Sequence, residues 1–118
     1  MSGVKTFSNE TSERYALALF ELADENSEVE NIEKKIISLL EICQKNPEFH
    51  FFLKNPTYQI DLQKKIITEI SDLMHFSKTL KNFLQLIIFK RRIYFLDKIL
   101  EKFIKLSSKK KVKVRGNL

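Results

Sequence analysis

A chain of 118 residues, 43% apolar and 31% charged, suits one domain with enough hydrophobic material for a core. Its two glycines, Gly3 and Gly116, both lie near the ends, which argues against a fold built on repeated hairpins. The net charge of +6 is unevenly spread: residues 1–77 carry 8 Lys/Arg against 13 Asp/Glu, and residues 78–118 carry 13 against 2. Such a basic half suits nucleic acid, anionic headgroups or an acidic protein, or is simply the solvated face of a lysine-rich helix.

Residues 1–10 read as a flexible, polar N-terminus with no apolar signal segment. A first helix is expected over about Thr11–Glu25. Ser27 and Glu30 then fit a capping box, and Val29, Ile32, Ile36, Leu39, Leu40 and Cys43 recur at spacings of three and four along a second helix. Cys43 is the only cysteine, so no disulfide can form and a buried, apolar role in a reducing compartment is expected. Asn46 and Pro47 suit the cap and first position of a short third helix, about Pro47–Lys54. Asn55–Pro56 stops it, because a residue before proline avoids the helical region.

The fourth helix, about Asp61–Met74, is expected to turn Leu62, Ile66, Ile70 and Leu73 inward. Ser77 caps a fifth, about Lys78–Lys90. After an "RRI" corner a sixth uses Leu96, Ile99, Leu100, Phe103 and Leu106. The fold class is therefore all-α, a six-helix bundle over residues 11–107. In residues 108–118, "KKKVKVRG" alternates cations with valine, a period of two. It reads as a basic linker, either disordered or strand-like, opening a further C-terminal domain.

The chemistry of an enzyme is missing. No glycine-rich phosphate loop is present, His50 and His75 have no partners at metal-ligand spacing, and Ser and Thr cluster at helix ends, where capping explains them. No cofactor, metal or catalytic residue is expected. The runs Phe49–Leu53 and Leu86–Phe89 are far too short to span a bilayer.

Two helices carry more apolar surface than one core needs. On a helical wheel, Ala16, Leu19, Phe20 and Ala23 form the core stripe of the first helix, and Tyr15, Ala18 and Leu22 form a second edge. On the fifth, Leu80, Phe83, Leu84, Ile87 and Ile88 face the core, and Asn82, Leu86 and Phe89 lie opposite. Either the fifth helix is buried on both sides, or the two outer edges form a groove for an amphipathic helix of another protein.

The stretches "RYALALFELADE", "NPEFHFFLKNPT", "QKKIITEI" and "NFLQLIIFKRRIYFLDKILEKFIKL", in this order, closely resemble the N-terminal domain of the delta subunit of bacterial F-type ATP synthases, whose mitochondrial counterpart is the oligomycin sensitivity-conferring protein. The resemblance spans about Ser12–Leu106 and has an alphaproteobacterial flavour. It implies a non-catalytic peripheral-stalk subunit on the cytoplasmic face of the bacterial inner membrane, without direct membrane insertion. It also implies an alpha-subunit N-terminal helix as partner, held at Tyr15, Ala18, Asn82 and Leu86. Leu22 and Phe89 extend that groove on the wheel alone. The b subunits are implied partners of the subunit's C-terminal part, and no nucleic acid is expected. Two other readings remain open: an RNA-binding bundle of the NusB antitermination type, and a helical domain lying on anionic membranes. The acidic polar side of the first helix disfavours the former, and the acidic polar faces of the first four helices disfavour the latter.

Overall fold

The computed structural model describes the backbone of residues 2–116 and the side chains of residues 9–109. Helices α1 (Ser2–Glu25), α2 (Val29–Lys45), α3 (Pro47–Lys54), α4 (Ile60–Leu73), α5 (Lys78–Phe89) and α6 (Leu96–Gly116) follow one another, with a single 3₁₀ turn, Ile93–Phe95, leading into α6. Among the described residues there is no strand. The all-α, six-helix expectation holds.

Both ends depart from the expected boundaries. The helical backbone of α1 begins at Ser2 and that of α6 continues to Gly116, where a flexible segment and a strand-like or disordered tail were expected. A strand without a neighbour leaves its N–H and C=O groups unpaired, whereas a helix satisfies them internally. Met1, Asn117 and Leu118 lie outside the described residues.

The start and stop chemistry works locally. Asn46 accepts a hydrogen bond from the Phe49 amide at 3.0 Å, with Pro47 in the first turn, and Ser77 accepts one from the Leu80 amide. The capping box at Ser27–Glu30 does not form. The N-cap of α2 is Glu28, without a side-chain cap, and Ser27 instead adopts a left-handed conformation that terminates α1. The 28→23 amide-to-carbonyl bond of 2.7 Å and the 27→24 bond of 3.2 Å complete a Schellman motif. His75 ends α4 and Arg91 ends α5 in the same way, with φ 58° at each. With no glycine in the interior, ordinary residues occupy all three left-handed positions.

Helix α6 packs against both α1 and α2, α4 packs against α5, and α3 bridges α2 and the 3₁₀ turn. Phe103 is fully buried and meets the Phe20 ring edge-on at 6.0 Å. The Ser107 hydroxyl donates to the buried Glu33 carboxylate, a polar contact between α6 and α2 that the apolar periodicity did not signal. Lys54 pins α3 down. Its Nζ donates to the Tyr94 carbonyl at 2.7 Å and to Asp97 Oδ1 at 3.0 Å, and it lies 4.3 Å from the Tyr94 ring centroid.

The expected inner face of α4 is corrected. Gln63, Ile67 and Ser71 are buried, whereas Leu62 is 41% and Leu73 79% exposed. Ile66 and Ile70 are half-buried. Ser71 is small and turns its hydroxyl back onto the Ile67 carbonyl at 2.7 Å, so a polar residue satisfied within its own helix takes a buried position.

Candidate functional site

Helices α1 and α5 touch. Thr79 Oγ1 donates to Glu28 Oε2 at 2.9 Å, which ties the start of α5 to the turn that ends α1. On α1, Ala16, Leu19 and Ala23 are completely buried. The other edge is open: Ala18 is exposed, Leu22 is 43% exposed, and Tyr15 is half-buried against the core.

Helix α5 has three aspects, two of them occupied. Leu80, Phe83, Leu84, Ile87 and Ile88 enter the core. Gln85 Nε2 donates to Thr68 Oγ1 at 3.1 Å, and Lys81 pairs with Asp72 at 2.8 Å, so the flank towards α4 is taken. What remains is Asn82, exposed, with Leu86 at 43% and Phe89 at 67% exposure. Helix α5 is therefore not buried on both sides.

The six expected residues thus lie on two helices in contact, five exposed and one half-buried. Exposed apolar side chains on two helices in contact, with an amide among them, offer surface that gains free energy when covered. Ala18 lets another backbone approach closely, Leu22, Leu86 and Phe89 offer apolar area, and Asn82 can both donate and accept. Exposed Glu21, Asp24 and Glu25 rim the α1 side, and Lys90 and Arg91 follow α5. Nothing on this surface can act as a nucleophile with its base. Elsewhere, burial pushes the Cys43 thiol up from 9.0 to about 12, Asp97 adding to the rise and Lys54 opposing it, so it is an inert core group. Among the described residues, no group of three or more His, Cys, Asp or Glu is placed to hold a metal, and no helix is long and apolar enough to cross a membrane.

Residues 11–118 match the model of a family described as the ATP synthase delta (OSCP) subunit. The chain belongs to that family. It is 33% identical over 118 residues to ATP synthase subunit delta of Pelagibacter ubique (strain HTCC1062), covering all of this chain and 64% of that one. It is 36% identical over 102 residues to ATP synthase subunit delta of Prochlorococcus marinus (strain MIT 9301), covering 83% of this chain and 54% of that relative. ATP synthase subunit O, mitochondrial, of Ipomoea batatas is 28% identical over 107 residues, which is 91% of this chain and 44% of that one. The delta-family chain therefore spans between about two-fifths and two-thirds of the length of these relatives. A chain in the cryo-EM structure of the Toxoplasma gondii mitochondrial ATP synthase hexamer superposes with a TM-score of 0.74 over 78% of this chain and 51% of that one. At 21% identity that likeness speaks for the shared fold. Family membership sets aside the RNA-binding alternative of the NusB type.

Sequence reasoning did not find Leu17. It lies on the polar side of α1 yet is 45% exposed, in a groove against α6 lined by Glu13, Lys102, Lys105, Leu106 and Lys109. Its signal was present: an apolar residue set among Glu10, Glu13 and Glu21.

Proposed function

We propose that this delta-family chain is the part of an F-type ATP synthase peripheral stalk that grips the catalytic head. The strip formed by Tyr15, Ala18, Leu22, Asn82, Leu86 and Phe89 holds the N-terminal helix of an alpha subunit. Its role is mechanical: by resisting rotation of the head, it lets the torque of the central rotor drive ATP synthesis, and it performs no chemistry of its own. The b subunits engage the C-terminal part of the subunit, and the assembly lies on the cytoplasmic face of the inner membrane.

The observation that carries this reading is the exposure of Ala18, Leu22, Asn82, Leu86 and Phe89 on α1 and α5, two helices in contact whose inner faces enter the core. A helix laid along these residues would meet anchors at helical spacing. The test is calorimetric titration of the chain with a peptide of the cognate alpha subunit's N-terminal helix. One-to-one binding that persists in salt is expected, and Ala18→Asp should weaken it by several kcal/mol, because a carboxylate would be buried without a partner. Ala18 is exposed, so the variant should melt like the native chain. A native chain that ignores the peptide, or an Ala18→Asp variant that binds as well as the native chain, would end the proposal.

A further inference from the structure

The sixth helix carries a second unexplained surface. Lys98, Lys102, Lys105 and Lys109 are spaced four, three and four residues apart, which gathers them within an arc of about 60° on one helical face. Three of them, Lys102, Lys105 and Lys109, line the groove of about 330 Å³ whose other walls are Glu13, Leu17 and Leu106. Lys102 reaches Glu13 at 3.7 Å. Lys105 and Lys109 are exposed and have no acidic partner among the described residues. An apolar floor, with Leu17 45% exposed, therefore runs beside a ridge of cations that its own domain does not neutralise.

We propose that the α1–α6 groove docks an acidic amphipathic helix from a partner protein, with an apolar anchor over Leu17 and Leu106 and carboxylates facing Lys105 and Lys109. The occupant follows from charge and shape. Burying Leu17 demands an apolar face, the unpaired lysines demand anions, and their spacing of four residues matches one turn of a helix laid alongside. Nucleic acid fits less well. The far wall of the groove carries Glu13, with Glu10 and Glu21 exposed on the same helix, and these would repel a continuous phosphate backbone. An anionic bilayer meets the same acidic wall. This surface lies apart from the α1–α5 strip and does not rest on the function assigned to it.

The probe is a fluorescent synthetic peptide of about 14 residues, or four helical turns, with leucines on one face and glutamates on its flanks. Its anisotropy is measured against the full chain at about 0.15 M salt, where distant charges are screened. Saturable binding is expected, with ¹⁵N shift changes centred on Leu17, Lys105 and Leu106. Leu17→Asp alone, or Lys105→Glu with Lys109→Glu, should weaken it about tenfold or more, whereas Lys98→Glu, outside the groove, should cost less than about threefold. These are exposed positions, and unchanged circular dichroism separates lost docking from lost folding. Ala18→Asp should leave this binding unchanged, so failure here is distinguishable from failure of the α1–α5 assignment. Equal binding of a scrambled, non-amphipathic peptide of the same composition would reduce the ridge to bulk charge and overturn the proposal. So would shifts confined to α1–α5, or tighter binding to single-stranded RNA or to phosphatidylglycerol vesicles.

Discussion

Replacing Ser27, His75 and Arg91 with glycine should make this domain more stable, although it removes three side chains. All three sit at positive φ, 56°, 58° and 58°, each closing a helix through a Schellman pair of hydrogen bonds. A left-handed conformation costs an ordinary L-residue about 1–2 kcal/mol, and glycine's extra freedom in the unfolded chain takes back about 0.5–1 kcal/mol. The net gain is about 0.5–1 kcal/mol per site. The three ends belong to different helices, so the effects should add to about 1.5–3 kcal/mol. In a domain of this size each kcal/mol moves Tm by about 4 °C, which gives about 6–12 °C for the triple variant. Urea unfolding followed by circular dichroism reads the free energy directly. Alanine at the same positions keeps the Cβ clash and should change stability by less than about 0.5 kcal/mol per site. If glycine and alanine behave alike, the helix ends do not hold these residues left-handed and the reasoning fails.

Phe103→Ala empties a fully buried ring site between α6 and α1 and should cost about 3–5 kcal/mol in chemical denaturation; a loss under 1 kcal/mol would mean the core closes over the gap. Lys54→Met removes the charge that holds Asp97 and the Tyr94 carbonyl and should destabilise by about 1–3 kcal/mol. A double-mutant cycle with Asp97→Asn should show coupling, and strictly additive losses would refute the ion pair's contribution. Cys43 should resist thiol reagents at neutral pH until the chain is denatured. Its thiol is raised from 9.0 to about 12, so the folded form keeps a proton that the unfolded form releases. Its contribution to stability is complete below about 9 and declines as pH climbs towards 12. Cys43→Ala should flatten that part of the stability–pH curve relative to the native chain, and identical slopes would contradict the burial.

Much of this was legible because helices are local objects. The i, i+3, i+4 recurrence of Ile32, Ile36, Leu39 and Cys43 and the caps at Asn46 and Ser77 depend on near neighbours, and the structure agrees with them. The second apolar edges on α1 and α5 could be drawn on a wheel, but a wheel cannot say whether an edge is covered. That was decided by α4, which takes the Lys81–Gln85 flank of α5 and leaves Asn82, Leu86 and Phe89 open. The inner face of α4 was misjudged for the same reason: Leu62 and Leu73 look like core in sequence, and only the packing of neighbouring helices selects Gln63, Ile67 and Ser71 instead. Glu33 meeting Ser107 joins residues far apart in the chain, as does Leu17 emerging beside the α6 lysines. The sequence by itself determined where the helices run and which residues compete for burial, because periodicity and capping act within a few residues. Tertiary packing decided which of the competing faces stayed open, because α1 to α5 each carry more apolar surface than their neighbours cover.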